Sequence, residues 1–368
     1  MTLGLRHTQI GGGLTCAEDL GGAMADKLAA LRHIGVRYPV MQAGMPGIAG
    51  PKLAAAVSRA GGIGTLGIMD VSEWGMALAL TRRLCEGHPF NANLLLPFTR
   101  PRHVDLLISQ EVPMATLFWG RDPALIRRLK QAGIYTFQQV GSVEEARMAL
   151  QDDVDALIVQ GREAGGHVRG TSLLKAILSP IVDLAGPVPV FAAGGMYTAE
   201  DALSARHQGA VGVSTGTRFV ATHESQAHDL YKKALVKAEH TVLTNLFGMN
   251  WDAPHRVLDN EATRRWCDSQ GQVPAWMRLI YKLTGLTRRF TPMKAELVQW
   301  QRPHLPLFSA AAMEASMAPH MRDSTALYAG DEVARIRSVM WAADVVNDLA
   351  SAFVPISATQ PNRQDLVA

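Results

Sequence analysis

Cysteine is scarce: Cys16, Cys85 and Cys267 are the only three in 368 residues. They are far apart and form no C-x-x-C pair, so neither a disulfide framework nor a zinc site is expected, and a reducing cytoplasm fits. Net charge is small, 36 basic against 33 acidic residues, or +3. Such a total does not imply a nucleic-acid partner, which needs basic residues concentrated on one face, and local clustering matters more than the sum. No uncharged apolar run reaches the roughly 18 residues of a membrane span. The start MTLGLRHTQIGGG lacks the basic and apolar stretches of a signal peptide. What the chain does have is apolar material, 48% hydrophobic against 19% charged, enough for a large buried core and unlike a disordered segment. The expectation is a soluble cytoplasmic protein without integral membrane association.

From Tyr38 onward, short apolar runs alternate with amphipathic segments at intervals of roughly 20 to 30 residues, the mark of repeated βα units. Strand candidates begin near Pro39, Ile63, Phe90, Pro113, Ile134, Asp155, Val188 and Ala210. Helical candidates follow them at Pro51 to Arg59, Ser72 to Cys85, Pro101 to Gln110, Asp122 to Gln131, Ser142 to Leu150, Ser172 to Leu184, Thr198 to Arg206 and Glu224 to Leu235. Pro51, Pro101 and Pro123 stand at first-turn positions, and Ser142 with Glu145 has capping-box spacing. Eight pairs favour a closed α/β barrel, the (β/α)8 or TIM barrel, over an open doubly wound sheet, though periodicity alone does not show closure. After Leu235 the rhythm stops, and a mainly helical insertion is expected, followed by one long amphipathic helix over Asp331 to Ala352. The expected organisation is an arm over residues 1–36 and a barrel over 37–235 completed by 325–354. An insertion over 236–324 covers the active site, and a polar tail spans 355–368.

Val159 to His167 (VQGREAGGH) joins a buried-strand pattern to a glycine-opened turn ending on an imidazole. In a barrel, chemistry gathers at the carboxyl ends of strands, and a phosphate is commonly held after strands seven and eight. Glycines stand in both places: Gly194, Gly195 and Met196 after one, Gly216 and Thr217 after the other. Their exposed N–H groups and the Thr217 hydroxyl suit a phosphate, although tight turns alone would also need such glycines. Two letter matches are set aside. Gly62 to Gly67 (GIGTLG) runs from helix into strand, opposite to the dinucleotide context, and Gly212 to Gly216 (GVSTG) buries Ser214 within the last strand with no Asp and His to complete a triad.

His167 at a strand end has the chemistry of a base for a carbon acidified by a nitro or carbonyl group, with Glu163 and Arg169 placed to tune it or merely to be solvated. Gln42, Asn93, Gln139 and Gln160 are amides near four strand ends. They offer the donors and acceptors that the edge of an isoalloxazine ring requires, or they fill layers of the barrel. Trp276 to Lys294 mixes aromatics with Arg278, Lys282, Arg288, Arg289 and Lys294. It reads as a solvated basic cover over the barrel mouth, or as a dock for a polyanionic handle such as coenzyme A or for an anionic membrane surface.

Together these residues make the chain similar to the nitronate monooxygenase family, also called 2-nitropropane dioxygenases, and to its enoyl reductase relatives. The resemblance rests on QAGM (Gln42 to Met45), Asn93, VQGREAGGH, AAGGM (Ala192 to Met196) and GTRF (Gly216 to Phe219). It implies FMN in a TIM barrel under a helical second domain. By position, FMN would touch Ala43, Gly44, Met45, Asn93, Gln139, Gln160, Gly165, Gly166, Gly194, Gly195, Met196, Gly216 and Thr217, with His167 as catalytic base and no metal. Two positions depart from the pattern: Gln139 stands where some members carry Lys, and Asp331 follows Tyr328-Ala329-Gly330 where Gln is usual. The resemblance implies oxidation of nitroalkanes or nitronates with dioxygen. PHRVL at Pro254 to Leu258 is instead similar to members that reduce a conjugated acyl-CoA thioester, or a quinone, with NADH or NADPH as reductant. The partner in either case is a small molecule, and a homodimer is compatible with the sequence.

Overall fold

Short runs rich in Val, Ile, Leu and Ala, each ended by glycine or a polar turn, become strands buried on both faces, and the segments between them wind into helices. The computed structural model describes residues 26–249, 251–285, 296–353 and 356. Eight parallel strands form one sheet. They are β1 (Val40–Gln42), β2 (Gly64–Leu66), β3 (Phe90–Leu95), β4 (Met114–Phe118), β5 (Tyr135–Val140), β6 (Ala156–Gln160), β8 (Val190–Ala193) and β9 (Gly212–Thr215). The spatial order β1-β9-β8-β6-β5-β4-β3-β2 follows the chain around a ring. Its two ends meet where Ile63 N–H donates to Val40 O (2.8 Å) and Gln42 N–H donates to Ile63 O (3.0 Å). The sheet is therefore rolled into a (β/α)8 barrel, and the open doubly wound arrangement is excluded.

Local signals set most helix starts. Pro51, Pro101 and Pro123 each occupy the first helical turn, where a missing N–H costs nothing. Ser142 Oγ accepts from Glu145 N–H (3.2 Å), while the Glu145 carboxylate reaches Gly141 N–H (2.8 Å). Inside the barrel Met41, Ile63, Met114, Phe137, Ile158 and Phe191 pack with Leu28, Leu31 and Val36, so helix Ala29–Ile34 plugs the amino-terminal end. Of the arm expected over 1–36, the part before residue 26 lies outside the described residues. A second layer between strands and helices includes Leu53, Trp74, Leu78, Leu107, Leu129 and Ile181. Each such buried aliphatic side chain stabilises the fold by about 1.5–3 kcal/mol.

Two helices differ from expectation for one shared reason. The helix expected from Glu224 starts at Asp229 and runs to Lys237, capped by the His228 ring, which accepts from Leu230 N–H (3.0 Å). Glu224 is used elsewhere: its carboxylate oxygens accept the N–H of Ala342 at 3.1 and 3.0 Å. That cap starts a helix at Ala342–Ala350, so the single helix expected over Asp331 to Ala352 does not form. Between Asp331 and Trp341 only a 3₁₀ turn, Val333–Arg335, is helical. Asp331 N–H is drawn to Glu163 O (2.9 Å) and Met340 N–H to Ala221 O (3.2 Å), and these tertiary bonds replace the intrahelical ones.

The segment after Lys237 carries helices Glu261–Trp266 and Ala275–Gly285 and, in addition, an antiparallel strand pair that the periodicity did not show. These are β10 (Thr241–Thr244) and β11 (His255–Leu258). β11 pairs in turn with β7 (Gly166–His167), matching His255 with His167 and Arg256 with Gly166. The inserted segment is thus stitched directly to the loop after β6. It has its own small core of Leu246, Phe247, Val257, Met277, Tyr281 and Phe308. Arg288, Arg289 and Lys294 of the basic stretch, and the tail apart from Ile356, lie outside the described residues.

Candidate active site

A cavity of about 1140 Å³ opens at the carboxyl ends of the barrel strands. The residues singled out in the sequence converge on its wall: Ala43, Gly44 and Met45 after β1, Asn93 in β3, Gln139 in β5, Gln160 at the end of β6, then Gly165, Gly166 and His167. Gly194, Gly195 and Met196 follow β8, and Gly216 and Thr217 follow β9. The opposite wall comes from the inserted segment and its return, with Met249, Trp251, Val298, Arg302, Met317, Met321 and Tyr328.

Gly194 and Gly195 adopt φ of 109° and 70°, values that side chains rarely tolerate. Among the described residues the N–H groups of Gly195 and Met196 have no hydrogen-bond partner within the protein. Gly165 does something different. A Cβ there would lie 2.5 Å from Gly330 N, and Gly330 N–H donates to Thr217 Oγ1 (3.0 Å), so a tight seam joins the returning chain to the cavity rim.

The four amides separate. Gln42 is fully buried and spent on the barrel, its Oε1 accepting from Thr65 N–H (3.0 Å). Gln160 is spent on the loop after β6: its Nε2 donates to His167 O and its Oε1 accepts from Arg169 N–H, both at 3.0 Å. Asn93 makes only a long contact to Thr116 O (3.4 Å). Gln139, half-buried, makes no side-chain hydrogen bond among the described residues, so Asn93 and Gln139 keep capacity for a ligand.

His167 lies in an aromatic box. Its ring stacks on Trp251 at 3.8 Å and 25°, and Trp119, His255 and Tyr328 stand at 6.0, 5.3 and 5.5 Å between centroids. Its Nε2 is buried and has no hydrogen-bond partner among the described residues. Burial first, and then the neighbouring His255, push its pKa well below the ordinary histidine value, so the resting imidazole is neutral. His255 is itself locked neutral: its Nε2 accepts from Phe247 N–H (3.1 Å), which leaves Nδ1 to donate to Ala253 O (2.9 Å). Its pKa is lowered to about 4, chiefly by burial.

Glu163 and Arg169 do not tune His167. Glu163 caps helix Leu174–Ala185 through Leu174 N–H (2.9 Å), and Arg169 pairs with Glu145 (2.6 Å) while lying over Trp119. Neither charge is merely solvated, because each is engaged by another element of the fold. Of the residues that do surround the base, His255 and Tyr328 stand in the PHRVL and Tyr328-Ala329-Gly330 motifs without a role read for them, and Trp119 and Trp251 were not singled out. Trp119 closes the strand-like run from Pro113 and holds a positive φ of 66°, a strained conformation at a strand end that no sequence pattern marks. Trp251, His255 and Tyr328 come from far along the chain. Asp331, the departure from the family pattern, pairs with the buried Arg256 of β11 at 2.8 Å. Among the described residues no helix is long and apolar enough to cross a membrane.

The nitronate monooxygenase family model matches residues 28–103 and 96–352. Over 244 residues the chain is 36% identical to (3aS,4S,5R,7aS)-5-hydroxy-7a-methyl-1-oxo-octahydro-1H-indene-4-carboxyl-CoA dehydrogenase of Rhodococcus jostii (strain RHA1). That match covers 64% of this chain and 66% of the relative, just under two thirds of its length. Among solved structures, FabK from Thermotoga maritima superposes with a TM-score of 0.70 at 27% identity, over 89% of this chain and 95% of that one. Nitroalkane oxidase from Streptomyces ansochromogenes gives 0.68 at 25% identity, over 88% and 97%. With a family model matched along most of its length and two solved structures superposing on its barrel, the chain belongs to the nitronate monooxygenase family.

Proposed function

We propose that this protein is an FMN-dependent oxidoreductase of the nitronate monooxygenase type, oxidising nitroalkanes or nitronates with dioxygen, with His167 as the base. The observation that carries this reading is the neutral, buried imidazole of His167, whose Nε2 lacks any partner among the described residues. A buried polar nitrogen without a partner is costly, and a site that keeps one is poised to accept a proton.

The cavity fits FMN. The unpartnered N–H groups of Gly195 and Met196, with Gly216 and Thr217 beside them, suit a phosphate, and the amides of Asn93 and Gln139 suit the polar edge of the ring. Bound there, FMN would supply the acceptor for electrons leaving the substrate carbon. His167 would take the proton from the carbon next to the nitro group. The C–H bond breaks, its electron pair stays on the substrate, and the imidazole becomes imidazolium. Gln160 fixes the loop that carries His167, while Trp251 and Tyr328 keep water from its ring. A cytoplasmic location belongs to the same reading, supported by the free thiols of Cys85 and Cys267.

His167→Asn in the flavin-loaded protein should lower turnover of a neutral nitroalkane by about 10²–10⁴-fold while sparing the pre-formed nitronate, which needs no base. Equal turnover of the neutral substrate by the variant sinks the assignment. A second reading, an NAD(P)H-linked enzyme of acyl-CoA thioesters, is favoured by one observation. The cavity is large for a flavin plus a nitroalkane, and it extends along Met69, Met76, Met317 and Met321, adaptable side chains suited to a bulky apolar group. The CoA ester in the Rhodococcus relative's name points the same way. Anaerobic mixing with NADH, NADPH, a nitronate and an acyl-CoA separates the two. Bleaching of the flavin by a pyridine nucleotide supports the second reading, and bleaching by the nitronate alone supports the first.

A further inference from the structure

We propose that Trp251 is a positioning residue for His167, and that its indole face stabilises the imidazolium formed when His167 takes the substrate proton. The inference rests on the reading of His167 as base and adds what holds the charge once the proton has moved. The step is a simple transfer: the substrate C–H bond breaks, its electron pair remains on carbon, and an N–H bond forms on the imidazole.

The geometry is specific. Of the described rings around His167, only Trp251 lies face to face with it, at 3.8 Å and 25°, while Trp119 presents itself edge-on at 80°. A cation within about 6 Å of an indole face is attracted by the ring quadrupole, most strongly where water is excluded. Trp251 is itself fixed. Phe98 and Trp119 meet it edge-to-face at 5.3 and 5.0 Å, and the next residue, Asp252, is held by Asn245 (2.9 Å) and Arg278 (3.3 Å).

Among the described residues no other group near His167 is placed to offset a positive charge. His255 is neutral with both ring nitrogens engaged, and Tyr328 donates its hydroxyl to Ala310 O (2.8 Å). Asp252 is turned to its own partners, and Arg169 lies beyond Trp119, neutralised by Glu145. Burial destabilises the imidazolium and so keeps the resting base neutral, while the indole face offsets part of that cost on the same charged form once the proton has arrived.

The test is to place mono-, di- and trifluorinated tryptophan site-specifically at position 251. Each fluorine weakens the quadrupole while keeping the shape of the ring, and flavin absorbance confirms that each variant is loaded. His167 is titrated by NMR in the holoenzyme, and the deprotonation rate of a neutral carbon acid is measured alongside. The expected result is a His167 pKa that falls with each fluorine, with a rate that falls in step, by about tenfold across the series. A pKa that stays constant across the series overturns the proposal. A graded pKa together with unimpaired deprotonation in His167→Asn overturns the base reading instead, because the contact would then exist without serving catalysis.

Discussion

Buried neutral histidines make a protein sensitive to acid, and His255 shows the sign of the effect. Its folded pKa of about 4 lies below the ordinary value near 6.5, so between those values the unfolded chain binds the extra proton and the folded chain does not. Stability is fully present above pH 6.5 and falls as pH drops towards 4, by about 3 kcal/mol for this residue alone. Urea denaturation of wild type and His255→Asn should show a stability difference at pH 7 that narrows markedly by pH 4.5. A difference constant with pH would mean that His255 is not held neutral. At this scale the sequence was legible in part. His167, the glycines and three of the four amides, Asn93, Gln139 and Gln160, reach one cavity while Gln42 stays inside the barrel, because a strand-end position does not say what a side chain spends its hydrogen bonds on. Gln160 turned out to hold the loop, and Glu163 to cap a helix, because partners from other elements arrive first.

Elements were readable wherever a local signal sets a boundary, as prolines do at residues 51, 101 and 123. They were not readable where the cap comes from afar, as with Glu224 on the helix at Ala342–Ala350. The pair β10 and β11 escaped for a similar reason. Each is four residues long, and β11 is stabilised by pairing with a loop some 90 positions earlier rather than by its own pattern. Arg256 is one of the ties between the inserted segment and the barrel loops. Its buried guanidinium bonds Asp331 (2.8 Å) and Arg162 O (3.0 Å). Asp331→Asn would leave that charge without its counter-ion. Because Asp331 is half exposed and water can compensate, the expected loss is about 1–2 kcal/mol rather than the larger cost of a fully buried pair. Hydrogen exchange should therefore accelerate in β10, β11 and β7 while the barrel strands keep their protection. Unchanged exchange there would show that the tie does not hold the segment down.

For the molecule as a whole, the barrel brings loops from opposite ends of the sequence to one mouth, and a ligand bound there should stabilise the assembly. At about a hundredfold excess over its Kd, a ligand that binds only the folded state contributes about 2.7 kcal/mol. FMN added to stripped protein should therefore raise the melting temperature by several degrees in a concentration-dependent way. Riboflavin, which lacks the phosphate, should do so much less if Gly195, Met196 and Thr217 form the phosphate grip. Equal shifts from the two compounds would remove the phosphate from that place.

By itself the amino-acid sequence determined the alternation of eight strands and helices and the residue types at the strand ends, because burial period, helix caps and glycine turns act within a few residues. Only the tertiary structure decided three further things. The sheet closes through Ile63 and Val40. The helix from Asp331 breaks. An aromatic box from three distant segments surrounds His167 and keeps it neutral. Desolvation, stacking and long-range capping depend on which elements meet in space, and no local pattern encodes that meeting.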